Sequence, residues 1–158
     1  MNRLLDILSK NSDFTVAQLA DMLDESEEMI SSQIKELEEC GIIKGYRAVI
    51  DWESVPDAGV EAVIELKVTP QRHSGFDSIA DTITKFTEVK SVFLMAGTYD
   101  LMIIVKGKTI QDVANFVAKR LSVLDGILST STHFLLKRYK EDGVMLCNTV
   151  VQEERGGV

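Results

Sequence analysis

Apolar positions change their period partway along this chain. Through the first fifty residues they recur at helical spacing; from Val60 onward, alternation of the kind a strand shows is interleaved with two further helical stripes. Leu4, Leu5, Ile7 and Leu8 predict a short first helix, closed by the turn-forming run Lys10-Asn11-Ser12-Asp13. Thr15 is placed to cap a second helix over 16–23, whose Val16, Leu19, Ala20 and Leu23 stand at i, i+3, i+4 and i+7. After a turn at Asp24-Glu25, Ser26 caps a third helix with a buried stripe of Ile30, Ile34 and Leu37, ended by Gly41. Three short helices with a tight turn before the third predict a helix-turn-helix. The segment 42–50 continues as an extended, β-prone exit strand.

Trp52 to Gly59, with Pro56 inside it, reads as a linker. Beyond it Val60, Ala62, Ile64, Leu66 and Val68 alternate with Glu61, Glu65 and Lys67, a half-buried strand. Phe76, Ile79, Ala80 and Ile83 make a helical stripe. Strands follow at Val89 to Ala96 and Leu101 to Val105. A second helix then runs through Ile110, Val113, Ala114, Val117, Leu121 and Leu124, and a last strand through Ile127 to Lys137. The order β-α-β-β-α-β is the ferredoxin-like arrangement, both helices on one face of the sheet. The predicted fold class is therefore α+β. The predicted division is a reading domain over 1–51, a linker over 52–59, a sensor and oligomerisation domain over 60–140, and a tail over 141–158. The tail is expected to hold a short strand around Val144-Met145-Leu146 and a disordered end. Met102 and Ile104 are apolar although they alternate with Leu101, Ile103 and Val105, and Val92 and Leu94 stand in the same relation to Phe93 and Met95. Helices on one side cannot cover both sets, and each such side chain gains about 1.5–3 kcal/mol on burial. A homodimer through the open sheet face is expected.

With 45% hydrophobic and 27% charged residues, the composition is that of a soluble globular protein. No apolar run approaches a membrane span, which suits a cytoplasmic protein. Cys40 and Cys147 stand alone, so neither a disulfide framework nor a zinc site is expected. His73 and His133 lack companions at metal-ligand spacing and read as structural, so no metal or cofactor is expected. The net charge of −8 is unevenly spread: residues 1–51 carry five basic and eleven acidic side chains, and residues 52–158 carry twelve and fourteen. The reading module is thus the acidic part, the opposite of what phosphate contact asks for.

Two signatures carry a resemblance. From Ser26 to Tyr46 the chain reads S-E-E-M-I-S-S-Q-I-K-E-L-E-E-C-G-I-I-K-G-Y, and Gly97-Thr98-Tyr99-Asp100 lies between two apolar runs. With Ser26, Ile30, Ile34, Leu37, Glu38, Gly41, Ile43, Gly45 and Tyr46 in register, a Gly-x-Tyr-Asp element, and Thr130 and Thr132 in the last strand, the chain resembles the Lrp/AsnC (feast/famine) transcription regulators over nearly its whole length. Where that family usually carries an Arg-Arg pair, this chain has Ser32-Gln33, and Glu27 and Glu28 add negative charge at the start of the helix, where the helix dipole favours it.

The resemblance implies that Ser31, Ser32, Gln33 and Lys35 face double-stranded DNA, with Lys44 and Arg47 on phosphates. Gln can bond adenine bidentately. Gly97, Thr98, Tyr99 and Asp100 admit two readings. In one they are a structural turn, Gly97 supplying a positive φ and Asp100 bonding the turn. In the other they bind a small amino acid, backbone N–H groups taking its carboxylate, Asp100 its ammonium and Thr98 a further hydrogen bond. The resemblance places such effectors between neighbouring dimers, hence assembly beyond the dimer, often to an octamer. The function expected is a transcription regulator whose assembly and DNA binding respond to an amino acid. One alternative is an effector-sensing partner subunit that has lost most DNA binding. Another is an enzyme like the sirohaem decarboxylases that resemble this family; they use histidine and arginine side chains, and no clustered His/Arg motif is found here. The chain is accordingly read as not an enzyme, with no catalytic residues.

Overall fold

A computed structural model describes residues 2–70 and 75–146. The chain divides into two compact units: the N-terminal residues through Ile50 together with the segment from Tyr139, and Asp51–Arg138. In the first, α1 is Arg3–Lys10, α2 Val16–Leu23 and α3 Glu27–Glu39. Each begins on a side chain that accepts an otherwise unpaired N–H. Asn2 accepts from Leu4, Thr15 from Gln18 in a reciprocal capping box, and Ser26 from Met29. Leu4, Leu19, Ala20 and Ile30 form the buried centre, with Ile34 and Leu37 packed against it, so the apolar stripes of all three helices converge. Asp24 turns the chain between α2 and α3 in the left-handed conformation, φ 57°. Gly41, φ 67°, ends α3: its N–H bonds the Glu38 carbonyl and the Ile42 N–H bonds the Leu37 carbonyl, which is the Schellman arrangement.

The exit strand expected over 42–50 does not form. That segment takes no regular structure, and among the described residues no strand pairs with it, so it has no ladder to join.

In the second unit β1 is Val60–Val68, α4 Asp77–Thr84, β2 Val89–Leu94, β3 Leu101–Gly107, α5 Ile110–Phe116 and β4 Ile127–Phe134. The strands form one antiparallel sheet in the order β2-β3-β1-β4, the β-α-β-β-α-β chain order expected. Ala62, Ile64, Leu66 and Val68 of β1 and Leu101, Ile103 and Val105 of β3 are buried with Ile79 and Ile83 of α4, Val113 and Phe116 of α5, and Leu121. Both helices therefore cover the same sheet face. The second helix is not continuous to Leu124: after Phe116 it widens into a π turn over Val117–Leu121. The segment read as a linker holds a 3-10 turn, Trp52–Ser54, and the Lys106 ammonium lies 3.8 Å over the Trp52 ring.

The register decides which residues face outward. Phe93 pairs with Met102, Met102 with Glu65, and Ile104 with Val63, so Val63, Phe93, Met102 and Ile104 share the face without helices. Val92 pairs with Ile103 on the core side. The open face carries polar groups too: His133 Nε2 lies 3.2 Å from Glu65 Oε2 and 3.1 Å from Ser131 Oγ. β2 stops at Leu94 and β4 at Phe134, short of the expected Ala96 and Lys137, because their ladder partners begin at Leu101 and Val60.

In the tail, β5 is Lys140–Glu141 and β6 Val144–Met145, a small hairpin where one strand was expected. Its turn residues Asp142 and Gly143 both have positive φ, 46° and 86°, the geometry of a type I′ turn. The expected disordered end, His73 and Cys147 lie outside the described residues.

Candidate functional site

α3 presents the expected reading residues on its solvent side. Ser31, Ser32 and Lys35 are exposed and Gln33 is half-buried. Gln33 is not idle: its Nε2 donates to Glu25 Oε2 at 2.7 Å, from the turn before the helix. A base edge approaching Gln33 competes with that carboxylate. Lys35 sits 3.8 Å from Glu39 one turn on, an exposed pair of little energetic weight. Lys44 is exposed after the helix. Arg47 pairs with Asp142 at the tip of the tail hairpin, so part of its charge is already answered within its own unit. Tyr46 donates its hydroxyl to Glu38 Oε1 at 2.9 Å. Loss of solvent around the hydroxyl, then this hydrogen bond and the negative charge of Glu38, hold its pKa above the usual tyrosine value.

The turn 97–100 joins β2 to β3. Gly97 and Thr98 are exposed, Tyr99 and Asp100 half-buried. The Asp100 carboxylate works inward: the Val68 N–H donates to its Oδ2 at 2.8 Å, and Lys67 Nζ lies 3.4 Å from its Oδ1. The same Lys67 donates to the Thr98 carbonyl at 3.0 Å, while the Asp100 N–H donates to the Leu66 carbonyl at 3.0 Å. Asp100 thus clamps the turn to the end of β1, and Lys67 places a cation beside it. The positive φ expected at Gly97 is not there: its backbone lies outside the left-handed region, and a Cβ added to it meets nothing within 4 Å. Neither conformation nor crowding within the chain calls for glycine at this position, and the surface above it is bare.

Three partners escaped the sequence reading: Glu25, Asp142 and Lys67. Only Asp142 carried a legible signal, the Asp-Gly pair of a two-residue hairpin. Among the described residues no group of three His, Cys, Asp or Glu side chains is placed to hold a metal. Nor is any described helix long and apolar enough to cross a membrane.

Residues 61–145 match the Lrp/AsnC ligand binding domain, and residues 2–44 a winged helix-turn-helix DNA-binding family. Over 141 residues the chain is 45% identical to YugG, an uncharacterised HTH-type transcriptional regulator of Bacillus subtilis (strain 168), covering 89% of this chain and 85% of that protein. An uncharacterised HTH-type transcriptional regulator of Pyrococcus abyssi is 31% identical, with 89% and 92% covered. In fold the chain is similar to a Neisseria meningitidis transcriptional regulator solved as its L-Met complex, with a TM-score of 0.71, 24% identity and 89% and 93% covered. It is similar also to E. coli AsnC, with a TM-score of 0.67, 22% identity and 87% and 91% covered. With a reading helix in its first unit and a ligand-binding fold in its second, this chain belongs to the Lrp/AsnC family of DNA-binding transcription regulators.

Proposed function

We propose that this regulator alters its DNA binding in response to a small amino acid held at Gly97, Thr98, Tyr99 and Asp100, and that it works as a homodimer joined through the open sheet face, with dimers assembling further. The observation that carries the reading is the bare, glycine-bearing turn clamped by Asp100 with a lysine at its side. The clamp supports an altered division of roles. Asp100 fixes the turn, exposed backbone N–H groups and Lys67 attract the effector carboxylate, and Thr98 supplies a further hydrogen bond. The L-Met complex of the Neisseria neighbour supports an amino acid as the ligand class. Dimerisation is supported by the apolar patch of Val63, Phe93, Met102 and Ile104, since Phe93 alone leaves 43% of its surface in water. In this reading Ser31, Ser32, Gln33 and Lys35 meet the bases and Lys44 and Arg47 the phosphates.

Gly97→Leu tests the effector site. The position has an ordinary backbone and open space, so the variant keeps its melting temperature while the added side chain covers the turn. Mobility-shift titrations on the DNA upstream of its own gene, with and without L-methionine or L-leucine, are expected to show an effector response that Gly97→Leu loses. An unaltered response in the variant rejects the site. The acidic reading module and the two occupied side chains, Gln33 and Arg47, favour a second reading, a sensing subunit that relies on a more basic partner for DNA contact. Absence of any shift by the protein alone selects that reading.

A further inference from the structure

The sensor unit holds a cavity of about 640 Å³, a size suited to a small-molecule ligand. It opens at the Gly107 end of β3, whereas the Gly97–Asp100 turn precedes the Leu101 end. At about 3.3 Å per residue the strand separates the two by about 20 Å. The cavity is therefore a different place from the effector turn.

Three departures from regular structure meet around it. The β2–β3 ladder slips between Val89 and Ser91, a bulge that re-aims Lys90. α5 widens into the π turn that carries Lys119 and Arg120. The approach to β1 passes through Asp57 and Gly59, both at positive φ, and a Cβ on Gly59 would stand 2.4 Å from the Gly107 carbonyl oxygen.

The wall is basic in a chain of net charge −8. Lys90, Lys106, Lys108, Lys119 and Arg120 line it, against Asp57, Glu88 and Asp112. Two of the acids are already engaged. Asp112 accepts from the Thr109 N–H at 3.0 Å and from its hydroxyl at 2.8 Å, and Glu88 pairs with Arg120. Lys106 stacks on Trp52, while Lys90, Lys108 and Lys119 have no ion-pair partner among the described residues. Val105, Val113 and Phe116 form an almost fully buried apolar floor, and half-buried Ala58 and the aliphatic stems of the lysines supply the accessible apolar surface. Gathered like charges beside an apolar wall attract an anion that also has an apolar body. A zwitterionic amino acid fits less well, because Asp57 alone remains to meet its ammonium.

We propose that this cavity is a second ligand site, taking a small phosphate-bearing molecule with a ring body, of the mononucleotide class. The ring lies against Ala58 and the aliphatic stems of the lysines, above the buried floor of Val105, Val113 and Phe116, and the phosphate meets Lys90, Lys108 and Lys119 through charge-assisted hydrogen bonds.

Calorimetric titration of the full chain with AMP and CMP tests this, with adenosine and inorganic phosphate as separate arms and L-leucine as competitor. Saturable binding of at least one mononucleotide is expected, at least tenfold tighter than either adenosine or phosphate and not displaced by L-leucine. Lys108→Gln combined with Lys119→Gln should weaken it at least tenfold. Both lysines are exposed, and an unchanged melting curve verifies the fold of the variant; Lys90→Gln, on a different element, gives a second test in the same direction. Five results overturn the proposal: no saturation with either mononucleotide, adenosine binding as tightly as they do, phosphate binding as tightly as they do, displacement by L-leucine, or affinity indifferent to all three lysines. A failed effector response at Gly97 leaves these readouts untouched, so the two ideas fall separately.

Discussion

The Gln33 side chain shows how one contact decides what a reading residue can do. Held by Glu25 at 2.7 Å, it must exchange a charge-assisted bond for a base edge. If Gln33 reads a base as proposed, Glu25→Ala removes the competitor and one negative charge beside the reading helix, so DNA affinity should rise about three- to tenfold in a mobility-shift titration, in line with the typical worth of such a bond. Weaker binding by Glu25→Ala would mean that the carboxylate positions Gln33 for reading. Asp100 invites the opposite experiment. Asp100→Ala leaves the Val68 N–H without its acceptor and should cost about 1–3 kcal/mol in urea unfolding, whereas Asp100→Asn, which keeps an acceptor, should cost less. The turn-stabilising role of Asp100 was legible in the sequence, because aspartate in a Gly-x-x-Asp turn has that chemistry. Its partners were not, since Lys67 and Val68 lie more than thirty residues upstream and only the β1–β3 register brings them near. The same blindness applies to Gly97, where a positive φ was a reasonable expectation from composition and the backbone does not adopt it.

At the level of elements, legibility followed from redundancy. α2 and α3 were readable because an N-cap, a helical apolar period and a stop signal agree within a few residues. The widening of α5 was hidden because Val117, Leu121 and Leu124 keep a spacing that a regular helix would also use. The exit segment failed for another reason: Ile42, Val49 and Ile50 have strand propensity, yet propensity without a neighbouring strand does not make a sheet. Glycine positions sort in the same physical way. Gly41→Ala meets only the far end of the flexible Lys44 side chain, so its cost is the left-handed backbone, about 1–2 kcal/mol. Gly59→Ala adds a collision with a main-chain carbonyl and should cost at least about 1 kcal/mol more. Denaturant midpoints of the two variants, compared at equal slope, measure the difference; equal costs would show that the strand end yields.

On the scale of the whole molecule, charge distribution is the governing fact. In the proposed function, a reading head with a net −6 over residues 1–51 has Lys44 and Arg47 for the phosphates. At about −0.9 per neutralised phosphate, a pair of such heads should show a log–log salt slope no steeper than about −4. A slope near −10 would reveal cations elsewhere on the DNA path. In the sensor unit, by contrast, Lys90, Lys106, Lys108, Lys119 and Arg120 gather around the cavity. Trp52 is the chain's sole tryptophan, and the Lys106 ammonium that borders the cavity rests on its indole ring. Any occupant that draws Lys106 away strips a cation from the one strongly fluorescent side chain, so the protein comes with its own optical gauge. Emission intensity and wavelength can report filling of that chamber with no dye attached.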